Sequence, residues 1–76
     1  MHTDIDWRSP EFGDQLEKAK NAVLETGAYL ARVIPLSAAR APGAPPPEYV
    51  VLAYHRYRVA ADRLDRLCRS YVDELS

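Results

Sequence analysis

Residues 48–75, EYVVLAYHRYRVAADRLDRLCRSYVDEL, decide the fold. Val50, Tyr54, Tyr57, Ala61, Leu64, Cys68, Tyr71 and Leu75 recur in steps of 4, 3, 4, 3, 4, 3 and 4. That heptad alternation gathers apolar side chains on one stripe of an α-helix. Ala53, Ala60 and Leu67 widen the stripe, as suits a helix facing a core. Arg58–Asp62, Asp62–Arg66, Asp65–Arg69 and Arg69–Asp73 are each four residues apart, and each such pair adds about 0.2–0.5 kcal/mol to a helix. The spacing predicts a helix over about 48–75, with Cys68 as a buried, inert thiol.

Working back towards the N-terminus, residues 35–47 hold all but one of the six prolines. Successive prolines favour stiff, extended backbone, so the stretch reads as a connector and spacer. Before it, Ser9-Pro10-Glu11 combines an N-cap serine, a proline at the first helical position and an acid in the first turn. A helix is predicted from Pro10 to about Ile34, with the seam Phe12, Leu16, Ala19, Val23, Gly27, Leu30 and Ile34. Pro35 is expected to end it, because proline disfavours helical backbone at the residue before it. Gly13 and Gly27 weaken it by about 1 kcal/mol each relative to alanine. Residues 1–8, with Ile5 and Trp7, read as an N-terminal arm. At 1.5 Å per residue the helices would be roughly 35–42 Å long, matched for side-by-side pairing. The expected fold is all-α: a single domain (1–76) built as a long antiparallel helical hairpin (about 10–34 and 48–75), with dimerisation into a four-helix bundle as an extension.

Composition narrows what such a hairpin does. The chain has 76 residues, one cysteine, ten Lys+Arg and eleven Asp+Glu, and is 47% hydrophobic. It is too short for most cofactor folds, cannot form an internal disulfide, and is not disordered by composition. Chains this small usually need a staple, very regular packing or association. His2, His55 and Cys68 show no metal-ligand spacing, so no metal and no cofactor is expected. No apolar run reaches the roughly 18–20 residues of a membrane span, and the acidic N-terminus lacks the pattern of a signal peptide. With a lone cysteine, this gives a cytoplasmic expectation and no membrane partner. Arginine outnumbers lysine eight to two among many alanines, as GC-rich coding would produce.

Catalysis finds no support. Cys68 and His55 fall on nearly opposite sides of one helix, short of the nucleophile–base reach that covalent catalysis needs. The segment Ala41-Pro42-Gly43-Ala44-Pro45 lacks the glycines and the lysine of a phosphate loop. No Glu-x-x-His occurs for a di-metal bundle.

Both helices carry apolar residues beyond one seam. Leu52 and Val59 lie a heptad apart on the far side of the second helix, interleaved with His55, Arg56 and Arg63. Leu24, Ala28 and Ala31 lie about 100° from the first seam. A lone hairpin has no use for these. The expectation is a small non-catalytic protein–protein interaction module: an adaptor, accessory subunit or inhibitor. Its partner is a larger protein or a second copy of itself. Leu52, Arg56, Val59 and Arg63 form the candidate binding face, with Tyr49 and Trp7 as secondary candidates, since arginine and aromatic residues anchor many interfaces. The alternative is a nucleic-acid-associated or antitoxin-like regulator using the arginines of the second helix. Against it, acidic residues balance those arginines, whereas nucleic-acid domains usually carry a positive footprint.

Overall fold

The computed structural model describes residues 7–75, which form two helices, α1 (Pro10–Arg40) and α2 (Glu48–Leu75). They pair as an antiparallel hairpin measuring 48 × 22 × 18 Å. Of the N-terminal arm, only Trp7 and Arg8 lie among the described residues; Ile5 and His2 lie outside them.

The start of α1 follows its sequence signals. Ser9 is extended, with φ −73° and ψ 141°, and its hydroxyl accepts the Glu11 N–H at 3.2 Å. Its carbonyl accepts the Phe12 N–H at 3.0 Å, satisfying a second donor of the open first turn. The end of α1 departs from expectation. The helix passes through Pro35 and stops at Arg40, six residues beyond Ile34. An interior proline costs about 3 kcal/mol, through a lost hydrogen bond and a clash with the carbonyl four residues earlier. Here Pro35 and Ala31 are both exposed, so the freed carbonyl faces water. Leu30 and Val33 are buried just before the proline, and Ser37 is half-buried two residues after it. Packing against α2 therefore carries the helix across the break.

The connector turns once and then runs straight. Ala41 caps α1 through its N–H to the Ser37 carbonyl at 3.2 Å. The Ala44 N–H then reaches the Ala41 carbonyl at 3.1 Å, closing a turn with Pro42 and Gly43 at its corners. Gly43 has φ +80°, the left-handed value that the third position of a type II turn demands. Pro45 and Pro46 extend to Pro47, whose carbonyl accepts the N–H groups of Val50 (3.0 Å) and Val51 (3.2 Å) to start α2.

The seam of α2 sits one row away from the expected one. Val50, Ala53 and Leu67 are buried, and Tyr57, Ala60 and Leu64 are half-buried. The steps are 3, 4, 3, 4 and 3, still a heptad. Tyr54, Cys68 and Leu75, expected inside, are exposed, and so is Tyr71 on its outer side. On α1 the same shift buries Val33 and leaves Ile34 exposed. The apolar stripe of each helix is three rows wide, and a single neighbouring helix covers only two of them. The two rows chosen include Ala19, Ala53 and Ala60, whose small side chains let the backbones approach. Cys68 is therefore an exposed thiol, not a core residue.

The core is thin. Phe12, Ala19 and Leu67 form its best-packed part, with Trp7, Leu16 and Leu64 against them. Among the described residues seven hydrophobic side chains are buried and twelve large ones are exposed. No buried polar or charged residue interrupts the described core. Thr26, half-buried near the seam, donates its hydroxyl to the Ala22 carbonyl at 2.7 Å, which satisfies it within its own helix.

Candidate functional site

The two long sides of the hairpin differ in chemistry. One side brings together the candidate residues of α2. Tyr49, Leu52 and Arg56 line a cleft of about 310 Å³ with Ala53, and α1 contributes Glu25, Thr26 and Tyr29. Leu52 is about half exposed and Val59 is 70% exposed, the most open large apolar side chain described. Val59 lies one heptad beyond Leu52, and Arg63 one heptad beyond Arg56, so the face continues along α2 past the cleft. Neither Arg56 nor Arg63 takes part in an ion pair among the described residues. The structure thus places five of the six candidates along one flank, and adds Tyr29 and Glu25 from the facing helix. Tyr29 was missed because it belongs to no apolar stripe of α1. Its neighbour Leu30 is the seam residue, and only the pairing of the helices brings Tyr29 beside Tyr49.

Trp7 is elsewhere. It packs at the other end of the hairpin, edge-on to Tyr71 with ring centroids 5.3 Å apart and planes at 90°. The Arg8 guanidinium stands 4.5 Å above the indole, a cation–π contact. Its indole N–H is buried without a hydrogen-bond partner. Trp7 therefore anchors the arm to the core cluster and does not share the face of the other five.

On the opposite flank the sequence pointed only to Leu24, because Ile34 and Tyr54 had been assigned to the core. A cleft of about 570 Å³ opens there between the end of α1, the proline run and the start of α2. Ile34, Ala38, Pro46, Val51 and Tyr54 line it. Leu24 lies two heptads before Ala38 on the same row and is exposed.

The charged side chains of α2 are partly self-satisfied. Arg66 pairs with Asp62 at 3.1 Å and Arg69 with Asp65 at 2.9 Å, both well exposed. Arg58 turns instead to Tyr54, donating to its hydroxyl at 3.1 Å. Such exposed pairs hold the helix by a few tenths of a kcal/mol each. Among the described residues no group of three His, Cys, Asp or Glu side chains is placed to hold a metal ion. Among the described residues no helix is long and apolar enough to cross a membrane. No family model, curated protein or solved structure matches the chain.

Proposed function

We propose that the chain is a small non-catalytic protein–protein interaction module, acting as an adaptor, accessory subunit or inhibitor by occupying the surface of a larger protein. One observation carries the reading: Tyr49, Leu52, Arg56, Val59 and Arg63 stand exposed along one rigid flank, and its two arginines have no acidic partner among the described residues. An aliphatic pair, an aromatic rim and unpaired guanidinium groups are the side chains that anchor interfaces. Mounting them on a paired helix limits the entropy lost on binding.

The test is quantitative co-purification from the source cell with wild type, Leu52→Asp/Val59→Asp and Arg56→Glu as baits. Proteins retained by wild type and lost from both variants support the reading. An unchanged set of retained proteins refutes it.

The same unpaired arginines favour a second reading, in which the flank meets nucleic-acid phosphates. It predicts binding whose affinity falls steeply with salt, because phosphate contacts release counterions. A gel-shift series at low salt decides this: no shift at tens of micromolar removes it.

A further inference from the structure

The row of α2 left uncovered by the hairpin, together with the next row outward, forms a second heptad seam. Val51, Tyr54, Ala61, Cys68, Val72 and Leu75 follow one another on it, interrupted only by Arg58 and Asp65. All seven steps of the series from 51 to 75 alternate between 3 and 4 residues, the repeat that pairs one helix with another. We infer that this seam pairs antiparallel with the same seam of a second copy, making a two-fold symmetric four-helix bundle.

One register of the seam against itself brings opposite charges together, with Tyr54 one residue out of step with Cys68 of the second copy. A two-fold axis crossing α2 beside Ala61 sets Val51 opposite Val72 of the second copy, and Arg58 opposite Asp65 of the second copy. By symmetry both pairs form twice. An isologous interface requires such self-complementarity. Asp65 already accepts Arg69 through one carboxylate oxygen, so the other remains for the incoming guanidinium. The small Ala61 at the axis allows close approach.

The apolar surface is sufficient. Six of the twelve exposed large hydrophobic residues lie on this flank: Leu24, Ile34, Val51, Tyr54, Val72 and Leu75. Six side chains of this size, each about half exposed, leave on the order of 500 Å² per copy, and a standard interface takes roughly 800 Å² per partner. Ala61, Cys68 and the arginine stem make up much of the remainder. The cleft of about 570 Å³ beside Val51 and Tyr54 is where Val72 and Leu75 of the second copy arrive. The thin core gives the reason for pairing, since a single hairpin buries too little to stand firmly alone.

The inference shares with the proposed function only the idea that surface rows serve association. Tyr49 borders both clefts, but Leu52, Arg56, Val59 and Arg63 lie on the flank opposite this seam, so either reading survives the failure of the other. Sedimentation equilibrium on the full chain tests it, with wild type, Arg58→Glu, Asp65→Arg and the double charge swap. Wild type should be dimeric at tens of micromolar. Each single reversal places two like-charged pairs across the axis and should weaken the dimer at least tenfold, and the double variant should recover to within about threefold of wild type. Val72→Asp, at the end of the seam, should also dissociate the dimer while circular dichroism shows the helices intact. A monomeric wild type at 100 µM (about the top of that range) overturns the inference. So does a double variant no tighter than its singles, or a dimer that Leu52→Asp/Val59→Asp breaks and Val72→Asp leaves whole.

Discussion

The two ends of the hairpin are closed differently. At the terminal end, Phe12, Ala19 and Leu67 are buried beneath Trp7, which stands against Tyr71 and carries Arg8 on its face. At the connector end, Leu30, Val33, Val50 and Ala53 are buried, but an open apolar cleft lies alongside. Two helices in contact present only a line of shelter, and a third element must cover the line from the side. The arm supplies one through the indole. The connector supplies a run of prolines, stiff and without side chains long enough to fold inward. Closure at one end is thus made by the arm, and at the other the cleft stands open.

Truncation at the two ends should expose the difference. Leu67 is 3% exposed and surrounded by the Trp7–Phe12–Leu16 cluster, so Leu67→Ala leaves a cavity the site cannot collapse. The expected loss is about 2–4 kcal/mol, a large share of the stability of so small a domain. Val50→Ala, beside the open cleft, should cost about 1 kcal/mol, because water already reaches the neighbouring surface. Urea unfolding at one fixed protein concentration measures both, the fixed concentration removing any contribution from association. Equal losses at the two positions would mean that the indole adds no closure.

Pro35 sharpens the comparison from the connector side. The last turn of α1 is held by packing against the cost of an interior proline. Pro35→Ala restores a backbone hydrogen bond and relieves the clash, and the expected gain is about 1–2 kcal/mol after the added freedom of the unfolded chain is subtracted. The melting temperature should rise. A fall would show that the proline bends α1 into its fit with α2.

How far the fold could be read from sequence follows from the same physics. Both helices, their antiparallel pairing and the start at Ser9 were legible, since each rests on local chemistry: capping, proline placement and heptad spacing. The choice of seam was not. Tyr54 and Ala53, Cys68 and Leu67, Ile34 and Val33 are neighbouring rows of one broad stripe, and both choices satisfy a heptad. Which row turns inward depends on how closely the two backbones approach, a tertiary property. The candidate face of Leu52, Arg56, Val59 and Arg63 was legible because it lay far from either choice. The exposed row of Val51, Tyr54, Cys68 and Val72 was not legible, because Tyr54 and Cys68 had been counted as core and Val51 and Val72 were placed on no row. The turn at Pro42-Gly43 was legible in principle, as a proline–glycine pair is a type II signature, but the segment was read as a stiff spacer and tested only for phosphate binding, not for a turn.

The smallest effects make the cleanest contrast between the ends, because one chemical change should act with opposite signs. Gly13 lies in the first turns of α1 at the terminal end, and a Cβ there meets nothing within 4 Å. Gly13→Ala should stabilise by about 0.5–1 kcal/mol, since alanine loses less backbone entropy in a helix. Gly43 also has open space around a new Cβ, but its φ of +80° belongs to the left-handed region. Gly43→Ala should therefore destabilise by about 1 kcal/mol, a cost set by backbone conformation alone. Gly43→Asn, which tolerates that region better, should recover part of the loss. Paired urea titrations of the two alanine variants read the signs directly. A stabilising Gly43→Ala would mean that the turn relaxes out of its left-handed form, and that the connector is softer than three consecutive prolines after a closed turn would make it.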